Sequence, residues 1–284
     1  MVDILSQKEQ STQKYEALLE QVYIRSKSHR NPRDIRRFIQ LACALEPLSE
    51  KEGLTTRSSD LNCHQKLEFF LTAGINIGDA FEDLAQRILS WGKQPDVIYD
   101  LGYEAQLDSK KNRRGGRINH GIIEMLIPIV TAQLLSDPCY VLSPHEVLKN
   151  TVNILMNTSR TDVEYLVKLK KTAYGLSGMF ERPVPEYPDA RTVFDYYELD
   201  RQATERYSSQ VWNSEFTNGF PITERLTKAI INSHKSVFSA KVEKAYQLIR
   251  DSDHKDVVPA ITADCAVCGI YLYLSHNPRD MIIT

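Results

Sequence analysis

Long apolar runs, paired cysteines, glycine- or proline-rich tracts and a strong net charge are all missing from this 284-residue sequence. The longest apolar stretch, 118–135, is interrupted by Asn119, His120, Glu124, Pro128 and Gln133, so it is no membrane span. The first ten residues are mostly polar and hold no signal-peptide core. Five scattered cysteines, Cys43, Cys63, Cys139, Cys265 and Cys268, are an odd set that argues against a disulfide framework and for a reducing, cytoplasmic setting. Cys265-x-x-Cys268 is the one close pair. It lies in an apolar run with no second pair, so it reads as two buried thiols. A net charge of −2 provides no global field for nucleic acid, and any anion site must be local. Twelve glycines and twelve prolines leave no low-complexity tract, and neither a period-2 strand series nor a short-period repeat is present.

What is present is helical spacing nearly throughout, in a composition of 42% hydrophobic and 25% charged residues that suits a globular core. The expected class is all-α: one domain over 1–284, with ten or more helices around a central buried one. A helical pair fills 1–48. Tyr15, Leu18, Leu19, Val22 and Tyr23 share one helix face, and Asn31-Pro32 starts the second helix with a cap and a proline in the first turn. A polar loop spans 50–62. One long helix is expected over 64–91, in which Gly74 and Gly78, four apart, let another helix come close. Further helices are expected at 99–107, 119–135, 144–157, 160–173, 192–212, 222–231, 236–249 and 257–274.

The chain is organised around Arg113-Arg114-Gly115-Gly116-Arg117-Ile118-Asn119-His120-Gly121, a basic turn running into the most apolar helix. Arg113, Arg114 and Arg117 supply forked donors that match phosphate oxygens, and the following helix aims free N–H groups and its positive dipole end at the same place. The plainer reading is a solvated loop before a core helix. Glu124 stands one turn from His120, so the two could face one ligand, or the acid could lie on an outer face. His64 and Glu68 are likewise one turn apart, a spacing suited to a shared proton or metal, or to an ordinary helix start. Lys51 and Arg57 lie in a loop from which they could reach phosphate. Asp60 suits a cap. Thr161 and Asp162 suit a helix start. Tyr196, Tyr197 and Tyr207 read as core rather than as a base-stacking wall.

The order of these motifs resembles the triphosphoribosyl-dephospho-CoA synthase family from about Lys51 onward. The family's Lys-Pro-Gly-Leu turn corresponds to Lys51-Glu52-Gly53-Leu54, and its His-x-Asp element to His64-Gln65-Lys66. Its Asn-Thr-His/Asn-x-Gly motif corresponds to Arg117-Ile118-Asn119-His120-Gly121. Thr161-Asp162, Asn218-Gly219-Phe220 and Pro278-Arg279-Asp280-Met281-Ile282 resemble later family elements. Glu52 stands where proline is usual, Lys66 where an acid is, and Arg117 where asparagine is. The family's basic element after the last of these is absent.

The resemblance implies an all-helical transferase that moves the 5′-triphosphoribosyl group of ATP from adenine to a ribose hydroxyl of 3′-dephospho-CoA. It implies an oxocarbenium-like transition state served by a carboxylate and a general acid, and a triphosphate held by arginines, helix N-termini and Mg²⁺. On this reading the catalytic set is His64, Glu68, Asn119 and Glu124. The phosphate set is Lys51, Arg57, Arg113, Arg114 and Arg117, with His120, Thr161 and Asp162 beside them. Small nucleotides are the partners, with neither nucleic acid nor membrane, and a homodimer is left open. The departures favour an alternative, a non-catalytic helical protein that binds a phosphorylated ligand or a protein partner. Both depend on one supposition, that the glycine-arginine corner faces His64 across a shared pocket.

Overall fold

The computed structural model describes residues 30–114, 116–136, 141–175, 183–235, 237–251 and 259–277. Among them are twelve α-helices and no strand. In chain order these are α1 Pro32–Leu45, α2 Leu67–Asn76, α3 Gly78–Trp91, α4 Tyr99–Asp108, α5 His120–Leu134, α6 Pro144–Met156, α7 Arg160–Gly175, α8 Val193–Ala203, α9 Tyr207–Thr217, α10 Pro221–Ile231, α11 Phe238–Arg250 and α12 Pro259–His276. The expected helix through Tyr15 and Tyr23, Cys139, and the Pro278-Arg279-Asp280 element lie outside the described residues.

Local chemistry starts many of these helices where the spacing predicts. The Asn31 side chain accepts from Arg33 N–H, with Pro32 in the first turn of α1. Ser143 and Glu146 form a reciprocal capping box at α6, and Thr192 and Asp195 form another at α8. Asp60 accepts from Leu67 N–H at 2.9 Å and so caps α2.

Helix α5 is the axis of the molecule. Every residue from Gly121 to Leu134 is buried, with Pro128 inside the helix. It packs against α3, α4, α6, α7 and α12, and one continuous apolar core runs through all of these. Helix α12 is buried almost all round and lies against α1, α5, α10 and α11. Where α1 crosses, a Cβ on Gly74 would sit 2.5 Å from Cys43 Cβ, and one on Gly78 would sit 2.5 Å from Gln40 Nε2. The two glycines therefore admit the close neighbour that their spacing predicts. No described helix is long and apolar enough to cross a membrane.

Two expected helices are each two helices. The 64–91 helix begins only at Leu67 and breaks at Ile77, next to Asn76, whose amide donates to the Lys111 carbonyl at 2.7 Å. The 192–212 helix breaks at Thr204, where the backbone turns extended (φ −99°, ψ 130°), and restarts at Tyr207. No proline or glycine marks the second break. It lets α9 fold back against α8 and places Arg206 at the start of a helix instead of in the middle of one.

Candidate active site

The supposition about the corner holds. Gly116 N–H donates to the His64 carbonyl at 3.1 Å, tying the basic turn to the loop that leads into α2. Beside this tie lies a cleft of two lobes. One lobe, of about 330 Å³, lies under the starts of α9 and α12 and includes Lys170, Arg206, Ser208 and Ser209. The other, of about 560 Å³, is lined by His64, Phe70, Leu54, Asn119 and Ile122. The lobes meet at Arg117, His120, Tyr174, Arg206 and Asp264, which line both.

Three cations serve this cleft. Arg117 is exposed, and its guanidinium stacks over the Tyr174 ring at 4.6 Å. Arg206 is exposed beside the first turn of α9. Lys170 is buried in the wall, its side chain 8% exposed, and donates to Glu124 Oε2 at 2.8 Å. Burial is the largest single influence and works to lower the Lys170 pKa, but the Glu124 carboxylate, Tyr196, Tyr174 and the hydrogen bond to Glu124 together outweigh it and hold the ammonium above the usual lysine range. Glu124 also accepts from Tyr197 OH at 2.8 Å, while Tyr99 OH donates to its backbone carbonyl. The acid therefore stands behind the lysine, fully buried, and lines neither lobe.

Helix ends add to the positive field. Neither α5 nor α9 has a side-chain cap, and both begin at the cleft. Both helix starts therefore bring a positive dipole end beside the cleft.

Two titratable groups occupy the junction. Burial, together with Arg117 and Lys170, pushes the His120 imidazole well below the usual histidine range, so it is neutral at pH 7. Burial, with the fields of Glu46 and Glu124, pushes the Asp264 carboxyl well above the usual carboxylate range, against a smaller opposing pull from Arg117. Asp264 reaches the cleft because α5 has glycine at 121. A Cβ there would stand 2.2 Å from Asp264 Oδ2 and 2.8 Å from Trp212 Cη2.

Of the residues expected at the site, His64, Asn119, His120 and Arg117 meet at this cleft. Asn119 does not cap α5. Its backbone is left-handed (φ 64°), its side chain makes no cap bond, and its buried Nδ2 has no partner.

The others are elsewhere. Glu68 is exposed on α2 and lines neither lobe, so it shares no site with His64. Lys51 is buried and spends its ammonium on Glu46 Oε1 at 2.7 Å and on the Glu46 carbonyl at 2.5 Å. Arg57 pairs with Glu50 on the surface. Arg113 is a strut inside the turn, donating to the Ser109 and Gly116 carbonyls and to Ser109 Oγ, and burial lowers its pKa to about 10. Arg114 is exposed and outside both lobes. Thr161 is exposed, and Asp162 is buried as a double cap. Its Oδ1 accepts from Ile98 and Tyr99 N–H, and its Oδ2 from Ser159 N–H and Oγ. Tyr196 and Tyr197 are core, as expected, but Tyr207 is exposed.

Lys170, Arg206 and Asp264 were not singled out by their sequence context, although two of them leave a trace in it. Lys170 falls on the apolar stripe Val163, Leu166, Ala173, where a solvated lysine has no place. Asp264 is the only acid between Pro259 and His276, in the middle of an apolar helix. Arg206 leaves none, because the break before it has no marker.

Among the described residues, no three His, Cys, Asp or Glu side chains group to hold a metal. Asp200 and Asp264 line the smaller lobe, but Asp200 accepts from Tyr187 OH and from Asn213 Nδ2, and burial disfavours the ionised form of Asp264; Glu46, in the larger lobe, is paired with Lys51. These residues do not make a protein-held Mg²⁺ site, and no step below passes through one.

The chain matches no curated protein and no solved structure. The sequence profile of one family, described as ATP:dephospho-CoA triphosphoribosyl transferase, matches residues 32–249, which is most of the chain; α12, which carries Asp264, lies beyond the matched residues. The chain belongs to the ATP:dephospho-CoA triphosphoribosyl transferase family.

Proposed function

We propose that the protein transfers the 5′-triphosphoribosyl group of ATP to a ribose hydroxyl of a dephospho-CoA-like acceptor, releasing adenine. The observation that carries this reading is the convergence of Lys170, Arg206, Arg117 and two uncapped helix starts on one lobe of the cleft. Three positive groups and two helix starts suit a triphosphate, whose charge no single arginine could balance.

In the reaction the C1′–N9 bond of ATP breaks, a bond from the acceptor oxygen to C1′ forms, and the hydroxyl proton of the acceptor ends on adenine. Asp264 is suited to carry that proton. Burial favours its protonated form, which can donate to a purine nitrogen as the base departs. The carboxylate left behind faces the positive charge developing at C1′, then takes the acceptor's proton and is reset. His120, held neutral, presents a hydrogen-bonding imidazole at the same junction without adding a charge that would oppose the oxocarbenium ion. Glu124 acts through Lys170, keeping the ammonium charged at the triphosphate lobe.

Purified protein incubated with ATP, dephospho-CoA and Mg²⁺ is expected to release adenine in proportion to the acceptor consumed, measured by liquid chromatography. Folded protein that binds ATP but releases no adenine above background overturns the transferase reading. It leaves the non-catalytic binding protein that the departures at Glu52, Lys66 and Arg117 suggest.

A further inference from the structure

The larger lobe contains a group that the fold does not use. Asn119 is 5% exposed, and its amide nitrogen is buried without a partner. Its backbone is left-handed (φ 64°), a conformation that asparagine tolerates better than most residues. A buried amide usually finds its hydrogen bonds. Helix capping does not explain this one, because the side chain makes no cap bond. The lobe that Asn119 lines is mixed: Phe70, Leu54, Ile122 and Val267 give it aromatic and aliphatic surface, and His64, Gln65, Glu46 and Asp264 give it polar groups.

We infer that this lobe is an adenine subsite and that Asn119 is its base-reading residue. An asparagine amide pairs a donor with an acceptor, which matches the adjacent ring nitrogen and exocyclic amine of adenine. Its terminal torsion is soft, so the amide can turn its donor and acceptor toward a base in the lobe. The flat ring then lies between aromatic and aliphatic walls. This inference rests on the proposed reading of the cleft, in which both substrates carry an adenine: the leaving base of ATP and the adenosine of the acceptor. The shared chemistry is the same, and binding distinguishes the two.

The test is equilibrium binding by calorimetry on the full chain, with ATP, GTP and dephospho-CoA each titrated alone into the wild type, Asn119→Leu and Asn119→Gly. The glycine variant removes the amide and adopts the left-handed backbone freely, so it guards against a folding failure in the leucine variant. Loss of two hydrogen bonds to the base is expected to weaken the adenine ligand about tenfold in both variants. It should also erase the wild type's preference for ATP over GTP. Weakening confined to ATP assigns the lobe to the leaving base, and weakening confined to dephospho-CoA assigns it to the acceptor. Unchanged affinity for both in Asn119→Gly overturns the inference. Because the readout is binding and not turnover, an absence of adenine release would sink the transferase reading while leaving this result intact.

Discussion

The pair Glu124–Lys170 joins the core to the cleft, and replacing its members separately and together should separate its two roles. Glu124 is fully buried, Lys170 is nearly so, and their charged atoms are 2.8 Å apart. At an effective dielectric constant of about 20, that separation gives a gross attraction of about 6 kcal/mol, much of it offset by the desolvation of both ions. Lys170→Met leaves the Glu124 carboxylate in the core with Tyr197 as its remaining side-chain donor. An uncompensated buried charge costs about 3–5 kcal/mol. Glu124→Gln keeps the shape and a contact with Tyr197, and Lys170 can lean toward the open lobe, so about 1–3 kcal/mol is expected. The double variant places a neutral amide beside an apolar chain and should lie within about 2 kcal/mol of the wild type, more stable than Lys170→Met alone. Urea unfolding followed by circular dichroism measures all four proteins. ATP affinity should fall alike in Lys170→Met and the double variant, because both lack the ammonium at the lobe. Since Lys170 has a folded pKa above its unfolded value, its stabilisation is complete below the ordinary lysine pKa and is lost only as pH climbs beyond it. The wild type's share of stability from the Lys170 ammonium should therefore stay level from about pH 6 to about pH 9. A Lys170→Met protein as stable as the wild type, or a double variant no more stable than it, would refute the reasoning.

Two further outcomes follow from the cleft. Of the corner arginines, Arg117→Ala should raise the KM for ATP by about tenfold to a hundredfold, as loss of a charge-assisted phosphate contact of about 1.5–3 kcal/mol implies, and so should Arg206→Ala. Arg114→Ala should leave KM unchanged, and Arg113→Ala should lower the unfolding midpoint because Arg113 braces the turn; steady-state adenine release and thermal unfolding separate the four. Asp264→Asn should abolish turnover while raising stability at neutral pH. The folded pKa of Asp264 is raised, so its contribution is whole below the ordinary carboxylate pKa and is lost as pH rises through the folded value. The stability advantage of the asparagine variant should therefore widen with pH across that interval, and a gap that narrows would contradict the burial of this carboxyl.

Helix identity was legible along most of the chain because it is decided within a few residues. Asn31-Pro32 and Ser143-Pro144-His145-Glu146 carry their own caps, and the apolar run after His120 admits no other place than the middle of the molecule. Gly74 and Gly78 announced a close neighbour without naming α1 as that neighbour. Family membership, too, was readable in the order of short motifs, and the profile match over 32–249 agrees with it. The site was legible only in part. Arg117, Asn119, His120 and His64 stand in motifs and do gather at the cleft, but the reach of a charge depends on its partners, which sequence spacing does not disclose. Lys51 and Arg113 look like free cations in the sequence, yet each is spent on groups that folding brings beside it.

The amino-acid order by itself determined a helical bundle with a basic, glycine-bearing corner before a buried helix, since propensity, capping and periodicity are local. Only the packing of distant helices decided the chemistry of the cleft. It set Lys170 against Glu124 across 46 residues, brought Asp264 onto Gly121 from the far end of the chain, and broke a tyrosine-rich helix at Thr204 so that Arg206 meets them. Burial and opposing charge then fixed which of these groups are ionised, because desolvation and Coulomb forces act through space and take no account of sequence distance.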